Sequence, residues 1–153
     1  MQLVPLSAGA WSSSLALEAG GINISTPQKT NEWRTNLGAS LKTSLFDLIS
    51  LEGHLCKRGS TIYGASLAYA LDIASVEPWL ELGIAHVSTK FPKGRQEDPM
   101  APFLGVGLDL KLAKRFFIGA LFRYYALEGT AVLDNPAYKA INIRWGVLLG
   151  DGF

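Results

Sequence analysis

Phe103-Leu104-Gly105-Val106-Gly107-Leu108-Asp109-Leu110-Lys111-Leu112 is the stretch that decides the fold. A strand turns successive side chains to opposite faces. Leu104, Val106, Leu108, Leu110 and Leu112 therefore share one face. Gly105, Gly107, Asp109 and Lys111 share the other. The segment has one greasy face and one polar face, and the fold depends on which of them looks outward.

The same alternation recurs along the chain, giving eight predicted strands. They run near 9–20, 33–45, 48–56, 61–71, 77–89, 103–112, 116–127 and from 140 to the end. In the first, Trp11, Leu15, Leu17 and Ala19 oppose Ser12, Ser14, Ala16 and Glu18. In the fifth, Leu80, Leu82 and Ile84 oppose Glu81, Gly83 and Ala85. In the eighth, Ile141, Ile143, Trp145, Val147 and Leu149 oppose Asn142, Arg144 and Gly146. Predicted connections are short at 46–47, 72–76 and 113–115, and long at 21–32, 90–101 and 128–139. The link at 57–60 alone breaks this alternation. Short turns at one end and long loops at the other, joined by strands of about ten residues, are the plan of a barrel that crosses a membrane.

Composition agrees. The chain has 153 residues, enough for one domain. Hydrophobic residues make up 48% and charged residues only 18%, with a net charge of +1. That balance argues against nucleic acid as a partner. No run of about 18 apolar residues exists to form a transmembrane helix. The first residues, Met1 to Leu6, lack the basic and apolar parts of a secretory signal. Export then requires a signal removed ahead of this sequence, with Met1 an added start residue. The single cysteine, Cys56, has no partner for an internal disulfide.

Three observations place the greasy face outside. The other face carries Gly38, Gly64, Gly83, Gly105, Gly107, Gly119 and Gly146. Glycine within a strand marks a crowded place, and the inside of a narrow eight-stranded barrel is crowded. That face also carries Glu18, Glu52, Glu81 and Asp109 against Arg34, Lys42, Lys111, Arg123 and Arg144. Enclosed charges need partners, and this set offers them. Finally, the aromatic residues gather near strand ends. Trp11, Trp79 and Phe153 stand towards the short turns, and Trp33, Tyr63, Phe103 and Tyr124 towards the long loops. Two belts of rings flanking an aliphatic band describe a barrel anchored at both membrane interfaces.

Pro102 to Leu112 followed by Phe116 to Tyr125, with Pro78-Trp79-Leu80-Glu81-Leu82-Gly83-Ile84 upstream, resembles the small outer-membrane β-barrel superfamily. That group includes the OmpA barrel domain, OmpX-like proteins and opacity-type surface proteins. The resemblance implies an all-β, eight-stranded antiparallel up-and-down transmembrane barrel spanning 1–153, at the cell surface of a Gram-negative bacterium. It implies outer-membrane lipids, lipopolysaccharide among them, and the barrel assembly machinery as partners. The terminal Phe153 fits the family's sorting signal, while Asp151 departs from it.

Chemistry is sparse. One cysteine and two histidines, His54 and His86, are too few and too scattered for a zinc site. No phosphate-cradling loop is present, since Gly105 and Gly107 lie within a strand. The expectation is no cofactor, no metal and no catalytic residue. The expected role is structural or surface interaction, with a closed polar interior and an extracellular ligand held by the long loops. The charged loop carrying Lys90, Lys93 and Arg95 reads first as a solvated loop, with contact to lipopolysaccharide phosphates as the alternative. The alternatives are a lipid A-modifying enzyme using His86 near Ser88, a narrow pore or conduit for hydrophobic solutes, and a soluble lipocalin-like binder.

Overall fold

The computed structural model describes residues 13–25, 31–45, 49–57, 60–71, 73–91, 94–126 and 137–149. Eight strands run through them: β1 (Ser13–Ser25), β2 (Asn31–Leu45), β3 (Ile49–Lys57), β4 (Ser60–Ala70), β5 (Val76–Phe91), β6 (Gly94–Lys111), β7 (Phe116–Ala126) and β8 (Ala137–Leu149). Each pairs antiparallel with its neighbour in sequence, and β8 pairs with β1. The sheet closes on itself as an up-and-down barrel.

Closure is staggered. The partners of Ser14 can be followed through Lys42, Glu52, Ser66, Gly83, Phe103, Tyr125 and Tyr138. The path returns to β1 at Ile24, ten residues beyond its start. This shear forces the strands to tilt and fixes a lumen just wide enough for side chains.

The strands at one end are longer than the alternation predicts. Residues 21–25 and 31–32 pair as strand, and so do 90–91 and 94–101, so the expected long loops at 21–32 and 90–101 are largely hairpin. Strand eight likewise begins at Ala137. These extensions carry polar residues such as Asn23 and Gln96, which give no apolar alternation. Ladder hydrogen bonds hold them without it. Pro99 falls in a β-bulge, where the register shifts between Ala85 and Val87. The bulge accommodates a residue that lacks an N–H. We call this the hairpin end. The opposite, turn end carries the links after Leu45, Ala70 and Lys111.

The face assignment follows the alternation. Leu82, Ile84, Leu104 and Val106 are 50–64% exposed, and the same outward belt continues through Leu17, Leu41, Leu67, Ile118 and Ile143. Most described inward positions are buried. A Cβ at Gly107 would run into the Trp79 ring, and one at Gly105 into the Glu81 side chain. These glycines are what make room for large side chains inside a narrow tube.

Candidate functional site

The lumen is filled in two storeys. The one nearer the turn end is ionic. Arg123, fully buried on β7, donates through Nε to Glu81 Oε1 at 2.5 Å and through Nη1 to Glu18 Oε2 at 2.8 Å. Its Nη2 reaches Glu52 Oε1 at 3.3 Å. One guanidinium thus joins β1, β3 and β5 to β7, using the fixed fork of donors that only arginine offers. Ser66 Oγ donates to the second Glu81 oxygen at 2.8 Å. Arg144 lies 3.5 Å from both Glu52 and Asp109. It also stacks above Trp79 and Phe117, 5.1 and 5.3 Å from the ring centroids. Further towards the turn end, Glu77 sits between Lys42 at 3.3 Å and Lys111 at 3.7 Å. Lys42 also rests over the Trp79 ring.

The storey nearer the hairpin end is apolar. Ile22, Ile62, Ala85, Val87, Ala101, Phe103, Tyr125, Tyr138 and Ala140 form one buried cluster. The Phe103 and Tyr125 rings meet at 5.2 Å. Between the two storeys Asn36 donates to the Asn142 side-chain oxygen at 3.2 Å.

Of the nine charged residues expected inside, Glu18, Lys42, Glu52, Glu81, Asp109, Arg123 and Arg144 are buried, and Lys111 is partly so. Arg34 stands apart. Its β-partner is Ile22, in the apolar storey, and it is half-buried. Glu77 was not expected. It shares the face of Glu81, four residues on, and that parity was the available signal.

The aromatic belt needs correction. Trp33, Tyr63 and Tyr124 do face outward, at 56, 50 and 38% exposure. Trp79 and Phe103 do not; they are 4 and 2% exposed and fill the lumen. The reason is parity. Leu80 and Leu104 look outward, so the residue before each looks in. Position near a strand end says at what height a ring sits, not on which side. Phe117, Tyr125 and Tyr138 are inside for the same reason. Trp11 and Phe153 lie outside the described residues, as do Lys93 and the side chains of His54, Cys56, Lys90 and Arg95. His86 points outward from β5 and stacks on Tyr63, with centroids 4.8 Å apart.

No protein-family model and no curated protein matches the sequence. Solved structures do. The Neisserial surface protein A, NspA, superposes with a TM-score of 0.66 at 17% identity, over 88% of this chain and 96% of that one. The N-terminal β-barrel domain of OprF from Pseudomonas aeruginosa gives 0.67 at 16%, over 89% and 97%. Ail, the attachment invasion locus protein of Yersinia pestis, gives 0.62 at 14%, over 92% and 99%. The chain has the fold of the small eight-stranded bacterial outer-membrane barrels. The closed eight-stranded antiparallel barrel expected from the alternation is therefore the one observed, with an exposed aliphatic belt around it. A closed sheet leaves no backbone edge to meet hydrocarbon, which is why strands can cross a bilayer in this form.

Proposed function

We propose that this outer-membrane barrel is a structural, surface-interacting protein with a sealed lumen. The turn end is assigned to the periplasm and the hairpin end to the cell exterior, because β5 and β6 run furthest past the apolar belt at the hairpin end. The single observation that carries the reading is the pair of storeys within the tube. The ion-paired layer and the apolar layer are stacked along the axis, and each is buried. Among the described residues both layers fill the tube with buried side chains, which supports a scaffold rather than a pore. The hairpins β1–β2 and β5–β6 are the surfaces offered outward. A surface role is consistent with the similar NspA and Ail, whose names describe a surface protein and an attachment protein. Lipopolysaccharide, an extracellular ligand and the barrel assembly machinery are the partners this reading assigns.

Planar-bilayer recording tests it. The purified barrel, folded by the criterion of heat-modifiable gel migration, is expected to add no conductance steps at high salt. Regular ohmic steps from the wild-type chain would replace the scaffold reading with a pore.

A further inference from the structure

The lipid-facing wall is not uniform. Most outward positions carry leucine, isoleucine or a ring, but adjacent outward sites on β2, β3 and β4 carry Ala39, Gly53 and Ala65. The register sets Gly53 between Leu41 and Ala65, and Ala65 next to Ile84. The result is a groove of about 590 Å³ whose rim includes Leu15, Leu41, Tyr63, Ile84 and His86. Gly53 is not imposed by crowding. Among the described residues a Cβ there would meet only the Gly64 carbonyl oxygen, at 3.6 Å, an ordinary contact. At Gly64 itself, one residue from Ala65, a Cβ would collide with the backbone of β5. At the hairpin end of the groove the His86 ring lies flat against Tyr63, 10° from parallel. Its Nδ1 is buried and has no hydrogen-bond partner among the described residues. A buried polar atom without a partner is uncommon and asks for one.

We propose that this groove seats one acyl chain of lipid A, the glycolipid of the outer leaflet, with His86 Nδ1 meeting the polar linkage at the head of that chain. The groove lies within the belt that contacts hydrocarbon, so its occupant is an acyl chain or another apolar wall. A second barrel offers a convex wall, which does not enter a concavity flanked by Leu15, Leu41 and Ile84. Tyr63 and His86 are β-partners near the hairpin end, at the level where amphipathic rings meet lipid headgroups. With the hairpin end outward, as proposed above, that level belongs to the outer leaflet. A neutral imidazole nitrogen accepts from a hydroxyl or amide N–H, or donates to a carbonyl. The amide-linked hydroxyacyl chains of lipid A present all three beside the chain; the glycerol esters of a phospholipid present acceptors alone.

Native mass spectrometry of the detergent-purified barrel, offered lipid A or phosphatidylethanolamine at equal concentration, tests the site. One lipid A per barrel is expected, retained about tenfold better than phosphatidylethanolamine, a ratio worth ~1.4 kcal/mol. Gly53→Leu and Ala65→Leu fill the groove and are expected to lose the bound lipid. His86→Phe keeps the stacking and is expected to lose the preference between the two lipids. Ile118→Ala, on the opposite wall, is expected to retain both the lipid and the preference. Heat-modifiable migration shows which variants fold, and Ala65→Leu carries the test if Gly53→Leu does not. Equal retention of the two lipids, or undiminished retention by the groove-filling variants, overturns the proposal. A lipid-free dimer abolished by Ala65→Leu would give the groove to a second copy, and overturns it as well. None of these results bears on conductance, so the sealed-lumen reading stands or falls separately.

Discussion

Arg123 is the point at which four strands meet in the lumen, and its three carboxylate partners come from β1, β3 and β5. Replacing it by methionine keeps much of the volume but leaves Glu18, Glu52 and Glu81 facing one another in a buried site. Breaking a buried pair by removing one partner costs about 3–5 kcal/mol. Arg123→Met is expected to lower unfolding stability by that order, read by urea titration of the barrel in lipid vesicles. The outer face carries a different penalty. Leu82 is 64% exposed in the middle of the apolar belt. Leu82→Arg places a cation in hydrocarbon and is expected to destabilise the vesicle-inserted barrel by about 2–4 kcal/mol. At this scale strand parity alone tells which face a residue takes. Asp109 and Lys111 fall on the inward face because Leu108 and Leu110 cannot. Nearness to a strand end tells only the height of a ring, so Trp79 and Phe103, expected in the outer belt, stand inside the wall. Glu77 is less legible because it stands at the first positions of its strand, where alternation has barely begun.

At the scale of elements, apolar alternation reveals the part of a strand that touches lipid and stops where lipid stops. β5 and β6 pair out to Phe91 and Gly94, well past the last outward leucine of either strand. Backbone hydrogen bonding continues there with no side-chain pattern to announce it, so the extended hairpins were invisible in the residues while the membrane-crossing spans were not. The turns are a second local feature. Between β4 and β5, Ile73 and Val76 exchange both backbone hydrogen bonds at 2.9 Å around Ala74 and Ser75. Ala74 takes φ of 55°, a left-handed value that disfavours a residue with a Cβ. Two-residue hairpin turns with a positive first φ favour glycine at that place. Ala74→Gly is expected to leave the fold unchanged and to raise stability by up to ~1 kcal/mol, the strain relieved less the backbone entropy lost. A fall in the urea midpoint would show that the alanine methyl makes a contact worth more than its strain.

For the molecule as a whole, the ionic storey behaves unlike surface ion pairs. Exposed pairs weaken as salt rises, because mobile ions screen them within about 10 Å at 0.1 M. Glu18, Glu52, Glu81, Arg123 and Arg144 have side chains 0–1% exposed, out of reach of those ions. The urea midpoint of the vesicle-inserted barrel is therefore expected to move little between low and high salt, and a steep loss with added salt would place the network in contact with bulk water. The global architecture was legible because eight spans of similar length with two faces admit few arrangements. Which inward residues touch was not legible, because it depends on a stagger of ten residues that emerges only when β8 meets β1.

That last seam has a bearing on biogenesis. Until β1 and β8 zip together, the sheet is an open trough, and its concave side displays the carboxylates, guanidiniums and ammoniums that the finished tube conceals. A partly rolled intermediate cannot lie bare in the acyl phase without stranding those ions there. Rolling up must therefore be complete, or be shielded by a proteinaceous template, by the time the strands reach their final depth.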